Sequence, residues 1–193
     1  HAQKAAAAGV DGLILVSAGA GGHAGTINPM ALVGEIRSFF DKTILLAGCI
    51  STGQDVAAAL QMGADLAYMG TRFINTTESE ALPEYKQMII ESSASDVIYT
   101  AAISGVPANF LRPSLEQMGI TEEMWKKTVD VDFGNELIAN DEAKAWKTIW
   151  SAGQGITKIG DSPKTSILVA RLRKEFKIAI ETQSKLLAQF NLD

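Results

Sequence analysis

A histidine on a glycine-rich loop is the first candidate for chemistry in this sequence. His23 lies within the run Ser17–Gly25, directly after the apolar stretch Leu13–Val16. An imidazole has an ordinary pKa of about 6.5, so it can accept a proton at neutral pH. The surrounding glycines let the backbone approach a planar or anionic ligand closely. The residues alone leave a second interpretation open, in which the loop is flexible and its histidine is incidental.

Two tight turns, Gly48-Cys49-Ile50 and Gly70-Thr71, are the second candidate. Each follows an apolar run and precedes a helix-like stretch, so their backbone N–H groups can converge on one phosphate. Glycines that only permit close packing of strand and helix would leave the same pattern, and this alternative also stays open. Arg72 is interpreted either as a phosphate contact or as the partner of a nearby acid. For Cys49 a backbone role is favoured over a nucleophilic one, because no second histidine stands beside it.

The elements that must position these residues alternate between strand and helix over the first 75 residues. Three short apolar runs predict strands that are buried on both faces. The predicted strands are Leu13–Val16, Thr43–Ala47 and Asp65–Met69, and the predicted helices between them are Ala31–Phe40 and Gln54–Met62. This alternation predicts a parallel sheet with right-handed crossovers, either a segment of a TIM barrel or an open doubly wound sheet. In both folds sites lie at the carboxyl ends of the strands, where the glycine-rich loop and the two turns fall.

The alternation is lost after Thr76. Beyond this point the sequence predicts helices over Glu84–Glu91, Leu115–Met118, Glu122–Thr128 and Ala143–Ser151. Between them, Val97–Thr100 is predicted to be extended and Ser104–Phe110 to be a loop. This more polar and mostly α-helical part is interpreted as an inserted subdomain. A last long helix is predicted from Pro163 to about Phe190.

Composition removes several classes of function. The 193 residues carry 17 Lys+Arg against 22 Asp+Glu, a formal net charge of −5, which argues against nucleic-acid binding. Cys49 is the only cysteine and there are two histidines, so no metal site is expected. No apolar run reaches the ~18 residues of a membrane span and no signal peptide is recognisable, so a cytoplasmic location is expected. Because the chain starts at His1 and runs directly into helix-like sequence, we expect it to be the back part of a longer protein.

Five motifs, taken in order along the chain, resemble those of one known family. They are Ala20-Gly21-Gly22-His23-Ala24-Gly25, Ala47-Gly48-Cys49-Ile50, Tyr68-Met69-Gly70-Thr71-Arg72-Phe73, Gly105-Val106-Pro107-Ala108-Asn109-Phe110-Leu111 and Trp150-Ser151-Ala152-Gly153-Gln154-Gly155. The set resembles the FMN-dependent nitronate monooxygenases, formerly called 2-nitropropane dioxygenases. Any single motif is weak, but the ordered set is specific and spans essentially the whole chain.

The resemblance implies an α/β chain that is the C-terminal part of a TIM (β/α)8 barrel. Residues 1–76 would form the last three βα steps, with the three predicted strands as strands six, seven and eight. Residues 77–150 would form an inserted, mainly helical substrate subdomain, and residues 151–193 a C-terminal helix that returns to the barrel. The first five strands would belong to an N-terminal half of the same barrel, which is the expected partner.

The resemblance also implies a binding site for FMN. His23 would be the catalytic residue, and Gly21 and Gly22 would line the cofactor. The residues implied to hold the FMN phosphate are Gly48, Cys49, Tyr68, Met69, Gly70 and Thr71.

The activity implied by the resemblance is oxidation of an alkyl nitronate, or its nitroalkane, by FMN and O₂ to a carbonyl compound and nitrite. Neither a metal, a nucleic acid nor a membrane takes part. The sequence departs from the family at three places. The family often has Gln where this chain has Tyr68, Gly where it has Cys49, and a Gln-Gly pair where it has Val16-Ser17. Two alternatives stay open: an FMN-dependent NAD(P)H reductase of enoyl thioesters or quinones on the same barrel, and a non-catalytic flavin- or phosphate-binding module.

Overall fold

The computed structural model describes residues 1–127 and 148–190. The strands are β1 (Gly12–Val16), β2 (Gly22–His23), β3 (Thr43–Ala47), β4 (Leu66–Tyr68), β5 (Val97–Thr100) and β6 (Ala108–Leu111). The α-helices are α1 (Ala2–Ala7), α2 (Pro29–Arg37), α3 (Gly53–Gln61), α4 (Thr71–Ile74), α5 (Pro83–Glu91), α6 (Arg112–Gln117), α7 (Glu122–Trp125) and α8 (Thr165–Gln189). Short 3₁₀ helices lie at Ala94–Asp96 and Gln154–Lys158.

A parallel sheet of three strands, in the order β1-β3-β4, forms the first half of the chain. The three predicted strands are found, and β3 covers the predicted residues without a shift. Helices α2 and α3 begin slightly earlier than predicted, because capping side chains precede them. Asn28 Oδ1 accepts a hydrogen bond from the Met30 N–H at 3.0 Å, and Thr52 and Asp55 form a capping box at the start of α3.

Only one face of the parallel sheet is covered within the described residues. This face packs against α1, α2 and α3 through the buried side chains of Leu13, Leu15, Ile44 and Leu46. Successive side chains of a strand point to opposite faces, so the alternate residues lie on the other side. That side carries four side chains that are 42–54% exposed, Ile14, Val16, Leu66 and Tyr68. The prediction of burial on both faces is therefore wrong for β1 and β4 in this structure.

A second sheet is antiparallel, with β6 in the centre between β2 and β5. The prediction of a loop over Ser104–Phe110 is wrong at its end, because Ala108–Leu111 is a strand. All four residues of β6 are buried, so it shows no alternation, and Gly105 and Pro107 just before it are typical of a loop. The two-residue strand β2 is defined by its pairing with β6.

The helices predicted after Thr76 are found where the structure describes them. Helix α5 begins one residue before the predicted start, α6 begins three residues earlier than predicted, and α7 ends at Trp125. The helix predicted over Ala143–Ser151 lies mainly outside the described residues. Since β5 and β6 also belong to this segment, its described part combines helices with an antiparallel sheet. The division at residues 76 and 150, with a mainly helical insertion, stays a prediction.

The long C-terminal helix α8 packs closely along α3. It was predicted from Pro163 to about Phe190 and covers Thr165–Gln189. Gly53 allows the contact, because a Cβ added there would lie 2.1 Å from the carbonyl oxygen of Leu172. The Gly53 N–H also donates to the carboxylate of Glu175 at 2.8 Å. Neither α8 nor any other helix in the described part of the chain is long and apolar enough to cross a membrane.

Glu78 caps the start of α8 from outside the helix. Its carboxylate accepts hydrogen bonds from the Thr165 backbone N–H at 3.0 and 2.9 Å and from the Thr165 hydroxyl at 3.0 Å. These bonds, with that of the backbone N–H foremost, lower the pKa of Glu78 to about 2. A carboxylate with a lowered pKa stabilises the fold fully above its ordinary pKa, and the contribution is lost as the pH falls through about 2.

We expect Glu78→Gln to lower the Tm of the full-length protein at pH 7, since the amide carries no charge. The Tm difference between variant and wild type should shrink as the pH is lowered from about 5 towards 2, where the wild-type carboxylate also becomes neutral. Calorimetry over this pH range measures the Tm of the variant and of the wild type. Glu80→Gln, two residues further along the same segment, is the matched control and should show no such trend. A Tm difference that stays constant with pH would contradict the capping role.

Candidate functional site

An open pocket of about 490 Å³ lies at the carboxyl ends of β1, β3 and β4. Its size suits a small-molecule or cofactor site. The pocket wall includes seven of the nine residues predicted for the site, namely Gly21, His23, Gly48, Cys49, Tyr68, Gly70 and Thr71. The wall also carries the apolar side chains of Ile14, Val16, Ala47 and Ile74. No Asp, Glu, Lys or Arg of the described residues lines it.

The structure does not bring the other two predicted residues, Gly22 and Met69, to the pocket wall. Gly22 lies in β2 with φ +70° and pairs there with Asn109 of β6. Met69 packs against the core on the helix-covered side of the parallel sheet. It directly follows Tyr68, so the two side chains point to opposite faces, and only Tyr68 faces the pocket.

The turn after β3 holds two consecutive residues with left-handed backbone. Gly48 has φ +120° and Cys49 has φ +60°, and Cys49 is alone in this among the non-glycine residues that the structure describes. Gly48 also has no room for a side chain, because a Cβ there would lie 2.4 Å from Ser17 Oγ. The Cys49 N–H has no protein acceptor among the described residues. Turns of this kind hold backbone N–H groups ready for an anion.

The Cys49 thiol is half-buried next to backbone carbonyls. Its Sγ lies 3.7 Å from the carbonyl oxygen of Ala18 and 3.8 Å from that of Gly19. Burial raises the pKa of the thiol, and the negative charge of Asp55 raises it further. Since the thiolate is the nucleophilic form, a thiol of raised pKa is a poor nucleophile at neutral pH. The backbone role is therefore favoured for Cys49.

The turn after β4 leaves space and a free donor at the pocket. Among the described residues, apart from its chain neighbours, no atom lies within 4 Å of a Cβ built on Gly70, and its φ of −105° is open to any residue. The glycine therefore matters for space and not for backbone conformation. The N–H of Gly70 has no acceptor within residues 1–127 and 148–190. Beside it, Thr71 Oγ1 accepts a hydrogen bond from the Gly153 N–H at 3.0 Å.

A third loop, Ser151–Gly155, also contributes to the pocket wall, and the sequence predicted no site role for it. Its glycines allow backbone to stack directly on backbone. A Cβ on Gly21 would lie 2.8 Å from the Gly153 nitrogen, and a Cβ on Gly155 would lie 2.6 Å from Ser51 Oγ. The available signal was the Gly153-Gln154-Gly155 motif, but its partners are far away in the chain. The contact between these loops also shows that Gly21 serves packing as well as the pocket.

The arrangement fits a ligand with an anionic end and a flat apolar body. Because no Lys or Arg of the described residues lines the pocket, an anion there would depend on the backbone N–H groups of the two turns and on neutral side-chain donors such as the Thr71 hydroxyl. The apolar wall and the glycine-rich loop offer a surface to a planar ring. Within the described part of the chain, no group of three or more His, Cys, Asp and Glu side chains could hold a metal ion.

The family model for nitronate monooxygenase matches residues 1–175. The chain belongs to the nitronate monooxygenase family. A curated nitronate monooxygenase from Paraburkholderia phytofirmans is 32% identical over 196 aligned positions, which cover 94% of this chain and 53% of that protein. The chain therefore spans about half the length of this relative. As the nitronate monooxygenases are flavin oxidoreductases, the predicted enzyme class is confirmed at the level of the family.

Two solved structures resemble the chain over nearly its whole length. FabK from Thermotoga maritima gives a TM-score of 0.79 at 27% identity, covering 96% of this chain and 60% of that one. A nitroalkane oxidase from Streptomyces ansochromogenes gives 0.72 at 28% identity, covering 94% and 56%. These likenesses confirm the α/β fold class of TIM-barrel enzymes. That this chain is the C-terminal part of the barrel stays a prediction.

Arg72 belongs to the third of the five motifs. It links the second turn to α8 through an ion pair with Asp161. Its side chain is 2% exposed and donates to the carbonyl oxygens of Asn75 at 3.1 Å and Asp161 at 3.0 Å. The carboxylate of Asp161 lies 3.2 Å from Arg72 and 2.6 Å from Arg171 of α8. Burial lowers the pKa of Arg72, and the charge of Asp161 opposes this. Of the two interpretations left open, the structure favours the ion pair.

We expect Gly70→Val to fold and yet to bind flavin at least about tenfold more weakly, a loss of about 1.4 kcal/mol. The valine enters space that no atom of the described residues occupies, so the core is not disturbed, but its methyl groups fill the pocket beside the free N–H. Flavin titration of the full-length apoprotein measures the effect. Gly34→Val is the control, because a Cβ on this exposed residue of α2 also meets no atom within 4 Å in the described part of the chain. Wild-type flavin content in folded Gly70→Val would remove this turn from the site.

Proposed function

We propose that this chain is part of an enzyme that oxidises alkyl nitronates, or nitroalkanes, with O₂ to a carbonyl compound and nitrite. The observation that carries the proposal is that His23 lines the same pocket as the two turns with free N–H groups. The names of two similar proteins, a nitronate monooxygenase and a nitroalkane oxidase, support this class of substrate.

The cofactor proposed for the pocket is FMN. The backbone N–H groups of Cys49 and Gly70 would hold its phosphate, which agrees with the lack of Lys and Arg among the described residues of the wall. Val16 and Tyr68 would offer apolar contact to the flavin ring, and the backbone of Gly21 would lie beside it. Bound FMN would supply the electron transfer from substrate to O₂, while the protein supplies orientation and access.

The proposed role of His23 depends on the protonation state of the substrate. A neutral nitroalkane must lose its α-proton, and a nitrogen of the exposed His23 imidazole would accept it. A nitronate has already lost this proton and is anionic. With that substrate His23 would position the molecule or stabilise its charge. His23 would therefore act as a base with a nitroalkane, and as a positioning or charge-stabilising group with a nitronate.

The rest of the pocket is proposed to come from an N-terminal half of the same barrel. Ile14, Val16, Leu66 and Tyr68 expose apolar surface on the face of the sheet that adjoins the pocket. Strands β1 and β4 lie at the two edges of this sheet, so further strands can pair with them. Closure in this way would bury the apolar face and extend the wall of the flavin site.

The visible spectrum of the full-length protein and a nitrite assay test the proposed function together. We expect a flavin spectrum, FMN in the supernatant after denaturation, and nitrite from a simple alkyl nitronate in the presence of O₂. Flavin without nitrite, but with NAD(P)H oxidation in the presence of an enoyl thioester or a quinone, would replace the proposal by the reductase alternative. Bound flavin with neither activity would favour the non-catalytic module.

A further inference from the structure

The strand that carries His23 belongs to the antiparallel sheet and not to the parallel sheet that forms the pocket floor. Gly22 and His23 of β2 pair with Asn109 and Ala108 of β6. β6 is buried over all four of its residues and pairs with β5 on its other side. The backbone position of His23 is therefore set by a segment that lies far along the chain.

Two side chains of this sheet hold the loop on either side of His23. Asn109 Nδ2 donates to the carbonyl oxygen of Ala20 at 2.7 Å, three residues before the histidine. The hydroxyl of Tyr99 donates to the carbonyl oxygen of Ala24 at 3.1 Å, one residue after it. A shift of the loop along or away from the sheet would break at least one of these bonds.

Tyr99 and Asn109 are neighbours in the antiparallel sheet, because they lie opposite each other in the β5–β6 register. Directly opposed residues of an antiparallel pair share one face of the sheet. Asn109 is 1% exposed, and its Oδ1 has no hydrogen-bond partner among the described residues. Burying an unpartnered carbonyl oxygen is unfavourable, so the asparagine carries a cost that its hydrogen bond to Ala20 must offset. What the asparagine adds is the donor to Ala20.

We propose that Tyr99 and Asn109 are positioning residues for His23, which hold its imidazole at the right place against the α-carbon of a substrate in the pocket. This inference rests on the proposed function of His23 as a base. Proton transfer depends steeply on geometry, and a displacement of about 1 Å can reduce a rate by ~10²-fold. Neither residue lines the pocket, so both act through the backbone of the loop.

Tyr99→Phe and Asn109→Leu in the full-length flavoprotein test the proposal. Tyr99→Phe removes a single hydroxyl from a side chain that is 42% exposed, so it should fold. Asn109→Leu removes the donor and, with it, the unpartnered Oδ1. For each variant we expect kcat/KM on a neutral nitroalkane to fall about tenfold and kcat/KM on the nitronate to change much less. An equal fall on both substrates would overturn the positioning role.

Asn75→Leu is the matched control for Asn109→Leu. Asn75 is also fully buried, its Nδ2 donates to one carbonyl oxygen, that of Lys86 at 2.9 Å, and its Oδ1 is also unpartnered within the described residues. Within the described residues, Asn75 makes no hydrogen bond to the glycine-rich loop Ser17–Gly25. The two variants should therefore change the Tm similarly, while Asn75→Leu should keep the wild-type ratio of nitroalkane to nitronate activity.

A readout without turnover separates this inference from the proposed function. The rate at which diethyl pyrocarbonate modifies His23, followed by mass spectrometry of its peptide, should rise severalfold in Tyr99→Phe and Asn109→Leu and stay unchanged in Asn75→Leu. If the wild-type protein releases no nitrite, the proposed function fails, but the modification rates still report on the position of His23. Unchanged modification rates in both test variants would overturn the inference whatever the enzyme's activity.

Discussion

His23→Asn in the full-length enzyme should remove most turnover of neutral nitroalkanes while leaving the flavin bound. The side chain is exposed on the pocket wall and its backbone is held by β6, so the amide should not disturb the fold. Asparagine cannot accept the α-proton, so kcat/KM for a nitroalkane should fall by ~10²–10⁴-fold, the usual range for a lost general base. On a preformed nitronate the fall should be much smaller, because the proton is already gone.

Comparing kcat/KM on the two substrate forms separates the roles of His23. Thr26→Ala serves as the control, since this exposed residue lies just beyond the same loop and away from the pocket wall. Equal losses on both substrates would show that His23 positions or stabilises the anion and is not the base. Activity at the wild-type level on both would make His23 an incidental loop residue and contradict the proposed mechanism.

The isolated chain, residues 1–193, should not form a stable monomer that binds FMN. Its parallel sheet exposes the apolar side chains of Ile14, Val16, Leu66 and Tyr68 on one face. Both edges of that sheet, β1 and β4, are without a further strand in the described structure. Open edges beside an apolar face favour association between chains, and a barrel needs closure to bury its inward side chains.

Light scattering, thermal melting and FMN titration of the isolated chain, beside the full-length protein, measure this effect. We expect the isolated chain to associate or to melt without a cooperative transition, and to hold far less than one FMN per chain. The full-length protein should hold one FMN under the same conditions. A monomer that melts cooperatively with stoichiometric FMN would contradict this prediction, and it would also remove the proposal that a further half of the barrel completes the pocket.

The parallel sheet was predictable because its signals are local. Thr43–Ala47 is a short apolar run between turn residues, and the structure begins and ends β3 at those residues. In a parallel sheet the loops that follow the strands lie at the same edge. The predicted parallel strands therefore also predicted that these loops meet at one site. Of the two predicted site residues that do not reach the wall, Gly22 belongs to the glycine-rich loop, whereas Met69 is implied by the resemblance alone. Tyr68 and Met69 were assigned together, although adjacent strand residues must point to opposite faces.

What the sequence could not predict depends on contacts between distant segments. Strand β6 directly follows the loop signals Gly105 and Pro107 and shows no alternation, and its pairing with β2 and β5 makes Ala108–Leu111 a strand. The stacking of Gly153 on Gly21 and the bond from Asn109 to Ala20 likewise join parts of the chain with no common local pattern. The left-handed backbone of Cys49 was also unforeseen, because a residue with a Cβ seldom takes this conformation.

The attachment of the glycine-rich loop Ser17–Gly25 to β6 affects the order in which parts of the protein fold. Asn109 and Ala20 are 89 residues apart in the chain, whereas Ser17 and Ala47, which join the first two parallel strands, are 30 apart. Closing the longer loop costs only about 1 kcal/mol more, but contacts of long sequence separation form late. We therefore expect the parallel sheet and its two turns to fold before His23 reaches its final position in the pocket. A newly made chain would then be able to hold its cofactor before it is able to move a proton.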